Sequence, residues 1–406
     1  MYSNGFSLIK NRPITVEEVL SSAGSSKGTA AQSMRSLRKV HMTVIGTTGA
    51  APISARQRKT TAVPETRRRG SQCLALARRE SKEPEVYYAG PAKTDNSGQF
   101  GPRDHIAFRY EVRQVIGEGT FSQVLAAIDH KTGTRVAVKV LKDLDATYSH
   151  SLREIEILEG LQRAFKEENR CVELLESFAF RGHKVMVLPL YHRTLRAALP
   201  ELSLPLITSV LQQLVAALAQ VHSKNIIHSD LKPDNIMFTS ARQDTVKIID
   251  FGSACSGKEL LFQRIQSRYY RAPEVILGCK YTTAVDMWSL GCIAVELLTN
   301  YPPFVGKNEK QQIYSMVQAC GLPPVELLRH ASRAKEFFCS RHQLRFPFAD
   351  SAEVWTANLG QLAGVSAELH DFVMSCFEWL PSRRLTAARA LTHALFQESR
   401  SNTSTK

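Results

Sequence analysis

The sequence predicts an α+β protein of two lobes, a β-rich N-lobe followed by a helical C-lobe, behind a largely disordered basic N-terminal extension. Three features of the chain point to it. Residues 110–116 (YEVRQVI), 123–128 (QVLAAI) and 135–140 (RVAVKV) read as strands separated by Gly-containing turns. After Pro189 the pattern becomes mainly helical: Ile207, Val210, Leu211, Leu214, Leu218 and Val221 recur at helical spacing over 205–222. Residues 21–82 are rich in Ser, Ala, Thr, Gly and Arg without a regular apolar period, which predicts disorder. Strands first and helices afterwards place a cleft between the lobes.

In chain order, Pro13–Leu20 (PITVEEVL) reads as a short helix start, with Thr15 as N-cap and Glu18 closing a capping box. Residues 85–90 (EVYYAG) read as a short strand. After the three strands from Tyr110, a helix is expected over 150–164, with Ile155, Leu158 and Leu161 on one face. A strand follows at 184–188 (KVMVL). Short strands at 226–227, 236–238 and 246–249 bracket two polar loops, and helices are expected over 283–299, 309–320, 367–379 and 386–396. The resulting division is 1–84 as the basic extension, 85–109 as an accessory lead-in, and 110–396 as the main domain. Its lobes are 110–189 and 190–396, and 397–406 is a disordered tail.

Apolar residues make up 43% of the 406 and charged residues 22%, the balance of a soluble globular protein. No apolar run approaches the roughly 20 residues that span a bilayer. No long apolar stretch follows Lys10 and Arg12, as a secretory leader requires. A cytoplasmic or nuclear protein is expected. The 8 cysteines are scattered singly without CxxC pairs, which argues against a zinc or disulfide framework and for reduced thiols. Of the net charge of +14, residues 1–104 carry +9. Such an arm attracts nucleic acid, lipid or acidic partners, or is a solvated leader.

Gly117-Glu118-Gly119-Thr120-Phe121-Ser122-Gln123-Val124 is a Gly-rich turn between two expected strands. Glycines let the backbone approach phosphates and offer them N–H groups, although an ordinary hairpin turn has the same composition. Ser122 stands at the third glycine of GxGxxG, and no Lys-Ser/Thr pair follows, which argues against a Walker-type NTPase. Val136-Ala137-Val138-Lys139 puts an ammonium between apolar strand residues, where it needs a counter-charge. Glu154, on the expected amphipathic helix, is the candidate. His228-Ser229-Asp230-Leu231-Lys232-Pro233-Asp234-Asn235 and Asp250-Phe251-Gly252 place two acidic groups and an amide at strand ends. Such oxygens suit Mg²⁺ held between protein and phosphate, and a further carboxylate can orient a hydroxyl nucleophile. Positioning, charge neutralisation and a proton acceptor are what phosphoryl transfer requires.

The order of these motifs, followed by Ala272-Pro273-Glu274, resembles the eukaryotic protein kinase signature set over roughly 110–396. The resemblance implies the bilobal protein-kinase fold, with ATP and Mg²⁺ as cofactors. It implies that Lys139, held by Glu154, contacts the α- and β-phosphates, that Asp230 accepts or orients the substrate hydroxyl, and that Lys232 steadies the γ-phosphate. Asn235 and Asp250 would hold Mg²⁺. Ile116, Gly117, Glu118 and Gly119 would border the nucleotide, with Val124 and Ala137 above the adenine and Met237 beneath it. Leu188 falls at the gatekeeper position and Pro189-Leu190-Tyr191 at the hinge, with Tyr191 among the nucleotide contacts. Glu274 would pair with Arg384, and Asp286 would support the catalytic loop.

The segment from Ile265 to Gly278, with Ile249-Asp250-Phe251-Gly252-Ser253-Ala254-Cys255 and Asp286-Met287-Trp288-Ser289-Leu290-Gly291-Cys292, is similar to the dual-specificity tyrosine-regulated kinases (DYRK) of the CMGC group. Gly321-Leu322-Pro323-Pro324 through Arg333-Ala334-Lys335 resembles the second DYRK class. Pro13–Leu20 and Pro84–Lys93 resemble two pieces of that class's accessory region, separated here by a long basic insertion, and Arg103–Tyr110 resembles its lead-in. The resemblance implies protein substrates with Ser/Thr-Pro sites, often with Arg upstream. Ser253 fits Ser/Thr acceptors, and Arg271 matches the arginine linked to the Pro preference.

The chain departs from the family in its activation loop. Phe262-Gln263-Arg264 stands where the family has Tyr-x-Tyr. The family's phosphotyrosine is expected to meet arginines matching Arg268 and Arg271; Arg264 adds a cation there, so another group must hold the loop. Glu259 or a phosphate elsewhere is the candidate, and a phosphotyrosine-independent loop is expected. Two rival readings are a pseudokinase scaffold, favoured by this loop and by Ser122, and a nucleic-acid-binding arm acting through Arg67-Arg68-Arg69 and Arg78-Arg79. The arm has no interleaved aromatics for base stacking.

Overall fold

The computed structural model describes Tyr87 and residues 99–119, 122–142, 148–256, 264–346, 355–356 and 365–397. The helix expected at Pro13–Leu20, the disorder expected over 21–82, the arginine clusters of the basic arm, Glu259 and Phe262-Gln263 lie outside the described residues. So do the tail and, apart from Tyr87, the strand expected at 85–90.

An antiparallel sheet of six strands forms the small lobe, in the order β1-β2-β3-β4-β6-β5. Its strands are β1 (His105–Ile106), β2 (Tyr110–Glu118), β3 (Ser122–Asp129), β4 (Thr134–Leu141), β5 (Glu176–Phe180) and β6 (His183–Pro189). Alternation along β4 divides the lobe into two faces. Val136, Val138 and Val140 join Val112, Leu125, Val185 and Val187 in a small apolar core. Phe100 and Ile106 of the lead-in, 5% and 0% exposed, complete that core, so the lobe packs around residues upstream of Tyr110. The buried Gln123 amide satisfies both backbone groups of Phe100, accepting its N–H at 2.8 Å and donating to its carbonyl at 3.1 Å. On the opposite face Leu141 and Met186 pack with Ile155, Leu158 and Leu161 of helix α1 (Tyr148–Phe165). β5, which the sequence did not announce, is an edge strand whose residues are exposed or only partly buried.

Pro205 sits in the first turn of α2 (Leu204–Ser223), where its missing N–H costs no hydrogen bond. By length and composition α2 is long and apolar enough to cross a bilayer, which corrects the expectation that no run approaches that length. Its Ile207, Val210, Leu211, Leu214, Leu218 and Val221 are instead buried in the large apolar core. Beside it, α3 (Ala284–Thr299) is buried at every residue from Val285 to Leu297, and a helix apolar all round belongs at a domain's centre. Asn300, at φ 62°, ends α3 in the left-handed conformation. Further out lie α4 (Glu309–Cys320) and α5 (Ala367–Cys376). The helix expected over 386–396 is instead two short turns, Ala387–Ala390 and Ala394–Phe396. His393 turns extended between them and its Nδ1 accepts from the Leu395 N–H at 3.3 Å, while Ala387, Ala390, Leu395 and Phe396 still bury their apolar groups.

α3 and the end of α5 touch at Gly291. A Cβ there would lie 2.7 Å from Cys376 Cβ and 2.9 Å from Phe377 Cε1. Glycine inside a helix normally costs about 1 kcal/mol relative to alanine. Here the sign reverses: Gly291→Ala is expected to destabilise by about 1–3 kcal/mol through overpacking. Denaturant unfolding measures this, and unchanged or raised stability would contradict the close approach.

Candidate active site

Sheet register sets the first half of the site. Lys139 pairs with Val124 on β3 and Met186 on β6, and Ala137 pairs with Ala126 and Leu188. Directly opposed residues share a face, so Val124, Ala137 and Leu188 stand on the face that carries Lys139. Lys139 Nζ donates to both Glu154 oxygens, at 2.7 and 2.9 Å, and to Asp250 Oδ1 at 3.0 Å. The Lys139 and Glu154 side chains are 11% and 4% exposed. Burial by itself lowers the Lys139 pKa, but the two carboxylates outweigh it and hold the ammonium above its ordinary range. In return the Lys139 ammonium holds the Asp250 carboxyl down to about 2. Asp250 sits at φ 62°, a left-handed bend that asparagine and aspartate tolerate better than most residues. A Cβ at Gly252 would lie 3.2 Å from Asp250 Oδ1, so the residue after Phe251 has little room for a side chain.

The catalytic-loop residues 228–235 are hung from α3. The fully buried Asp286 carboxylate accepts the His228 N–H at 2.9 Å and the Ser229 N–H at 3.0 Å. It also lies 2.9 Å from His222 Nε2. Ser229 holds φ 68°, and backbone strain of about 1–3 kcal/mol at such a position persists only when surroundings over-determine it. His228 packs edge-on against Phe251, ring centroids 4.9 Å apart, which ties this loop to the segment bearing Asp250.

Asp230 is held at both oxygens. Oδ1 accepts the Ser267 hydroxyl at 2.7 Å and the Ser267 N–H at 3.0 Å. Oδ2 accepts Lys232 Nζ at 2.7 Å and Asn235 Nδ2 at 3.3 Å. Asn235 Nδ2 also donates to the Asp230 carbonyl at 2.9 Å, so its carbonyl oxygen is the end suited to a cation. Lys232 bridges onward to Ser267 Oγ at 3.1 Å. Ser267 was visible in the sequence as part of the DYRK-like segment, but its bond to Asp230 spans 37 residues and no local pattern signals it.

The remaining expected nucleotide contacts are placed as follows. Ala137 is buried, Val124, Leu188, Tyr191 and Met237 are partly buried, and Ile116 is 46% exposed. Gly119 N–H donates to the Ser122 carbonyl at 2.9 Å, closing the turn that Gly117 and Glu118 enter; Thr120 and Phe121 lie outside the described residues. Met237 lies on β7 (Ile236–Phe238), which pairs with β8 (Val246–Ile248) just ahead of Asp250. Among the described residues no three His, Cys, Asp or Glu side chains gather as a cation site.

Below the catalytic loop, the end of the activation segment is fixed by a residue the sequence did not single out. Glu309, at the start of α4, meets Arg264 at 3.2 Å, Arg271 at 3.2 Å and Arg333 at 2.9 Å. Arg268 instead donates to the Lys307 carbonyl at 2.6 Å. Burial and the neighbouring Arg264 together push Arg271 down to about 10, with Glu309 acting against them. Gln266, at φ 67°, spends its side-chain amide on Tyr270, Val285 and Ser289, while its own carbonyl accepts Arg271 at 2.8 Å. Glu274 and Arg384, both fully buried, form a bidentate pair at 2.7 and 2.9 Å.

The chain matches the protein kinase domain over residues 110–396. It is 36% identical over 365 residues to dual specificity tyrosine-phosphorylation-regulated kinase 3 of Rattus norvegicus, a match covering 78% of this chain and 61% of that protein. It is 37% identical over 339 residues to dual specificity tyrosine-phosphorylation-regulated kinase 2 of Drosophila melanogaster, covering 78% and 46%. Over 301 residues it is 38% identical to serine/threonine-protein kinase ppk5 of Schizosaccharomyces pombe, covering 71% and 36%. The chain thus spans 61% or less of the length of these relatives. With the motif geometry above, these matches place the chain in the protein kinase family, in its DYRK branch.

Proposed function

We propose that the protein transfers the γ-phosphate of ATP to Ser and Thr hydroxyls of proteins, at sites followed by Pro. The observation that carries the transfer chemistry is the fixed Asp230 carboxylate, held by Ser267, Lys232 and Asn235. The acceptor oxygen bonds to the γ-phosphorus, the bond to the β–γ bridging oxygen breaks, and the hydroxyl proton passes to Asp230. Lys139 neutralises phosphate charge nearer the sheet, and Lys232 does so beside the acceptor. The Asn235 carbonyl and the half-exposed Asp250 carboxylate, 49% accessible, suit a Mg²⁺ ion shared with phosphate oxygens, which supplies charge neutralisation when bound.

The preference for Pro is supported by Gln266. A peptide N–H arriving after the acceptor residue would seek a backbone carbonyl, but that of Gln266 is turned to Arg271. Pro has no N–H to leave unpaired, so it loses nothing at this position. Independence from loop phosphotyrosine is supported by Arg264, which pairs with Glu309 and so fastens the segment without a phosphate.

Mg-ATP transfer to Ser-Pro and Thr-Pro peptides tests the main reading. Asp230→Asn should reduce turnover by on the order of 10²–10⁴-fold. Ser267→Ala should reduce kcat by roughly tenfold or more with KM for ATP kept, because a charge-assisted hydrogen bond to Asp230 is lost. No transfer above Asp230→Asn by a folded wild type would favour the scaffold reading. Glu309→Gln should lower turnover while tyrosine-phosphatase treatment of wild type leaves it unchanged. Stoichiometric phosphotyrosine in residues 255–271 of the active enzyme, found by mass spectrometry, would overturn phosphotyrosine independence.

A further inference from the structure

Arg196 lies on the one-turn helix Leu195–Ala198 and reaches across to two carboxylates. Its guanidinium pairs with Glu296 of α3 and donates to Asp234 Oδ2 at 3.3 and 3.4 Å. It also donates to the Tyr270 hydroxyl at 2.5 Å, and that hydroxyl donates to Glu296 Oε2 at 2.6 Å. The cluster adjoins the catalytic residues along the chain from two directions. Asp234 lies in the turn between Lys232 and Asn235, and Tyr270 lies in the turn that follows Ser267. It also opens to solvent: the Asp234 side chain is 49% exposed and Arg196 36%, while Glu296 is sealed at 0%.

Carboxylates beside an acceptor site attract guanidinium groups, and a kinase that selects substrate arginine needs such carboxylates vacant. Here the acids around the catalytic loop are already committed, Asp286 to the His228 and Ser229 N–H groups among them. Glu154 and Asp250 serve Lys139, and Glu296 and Asp234 serve Arg196. A fully buried Glu296 carboxylate without a cation is strongly disfavoured, so an internal partner is required in the free enzyme. An incoming arginine would have to displace Arg196, exchanging one ion pair for an equivalent one without net gain.

We infer that Arg196 occupies, from within the chain, the acidic position at which a substrate arginine would bind, so that the enzyme does not select Arg upstream of the acceptor. Arg196 is then a specificity-determining residue. The inference rests on the Ser/Thr-transfer reading above, and it revises the upstream-Arg preference implied by family resemblance.

The test uses the full chain and Ser-Pro peptides identical except for Arg or Ala at each of the four positions before Ser. Binding is read by fluorescence anisotropy and transfer by kcat/KM. Wild type should favour Arg over Ala by less than about threefold, and Arg196→Ala should raise that ratio to about tenfold or more. A wild-type preference of about tenfold at any position would overturn the inference. So would a folded Arg196→Ala enzyme that gains no preference. If Arg196→Ala fails to fold, the wild-type ratios decide alone. A wild type that binds the peptides but transfers phosphate to none contradicts the transfer reading, and the anisotropy ratios still decide the role of Arg196.

Discussion

A buried ammonium that must be neutralised is the constraint on which the site depends. Lys139 is planted in an apolar strand, and its charge is tolerable there only beside Glu154 and Asp250. Glu154 comes from α1, and Asp250 comes from the segment after β8 in the large lobe. One side chain therefore sets the position of a helix relative to the sheet and of the Asp-Phe-Gly segment relative to both. The strand pairing that orients Lys139 also puts Val124, Ala137 and Leu188 on its face. The proposed phosphate contact of Lys139 and the apolar surface beside it thus follow from one register.

The large lobe solves a parallel problem with buried acids on an apolar helix. α3 has no solvent-facing stripe between Val285 and Leu297, yet it carries Asp286 and Glu296. Each is satisfied by groups from other segments of the large lobe. Asp286 accepts backbone N–H groups of the catalytic loop, and Glu296 takes Arg196 and Tyr270. The same helix supplies Ser289 and the Val285 carbonyl to Gln266. An unpaired buried carboxylate is expensive, so these acids fix the loops more firmly than apolar packing alone would.

Much of this was legible in the sequence where the signal is local or where a motif has a strict order. The strands around Lys139, the helix carrying Glu154 and the apolar period of α2 appear close to their expected positions. The Glu274–Arg384 pair and the placing of Asp286 under the catalytic loop also correspond to the geometry. What escaped depends on tertiary contacts between distant segments. Glu309 reads as an ordinary first-turn acid of a helix, and only folding brings Arg264, Arg271 and Arg333 to it. Arg196 is a lone cation in the apolar stretch Leu195-Arg196-Ala197-Ala198-Leu199, and no local pattern directs it to Glu296. The continuous helix expected over 386–396 failed because two separate turns satisfy the same apolar spacing, with His393 breaking the run between them. Phe100 and Ile106 gave no sign of core membership because the Gly- and charge-rich lead-in around them lacks a periodic pattern.

In the proposed transfer Glu154 acts only by holding Lys139. A double-mutant cycle on single-turnover phosphate transfer tests it, using Lys139→Met, Glu154→Gln and the two combined. Each single change should be severe and the combined enzyme no slower than Lys139→Met alone, because the second change removes a partner already lost. Effects that multiply in the combined enzyme would mean that Glu154 has a role independent of Lys139.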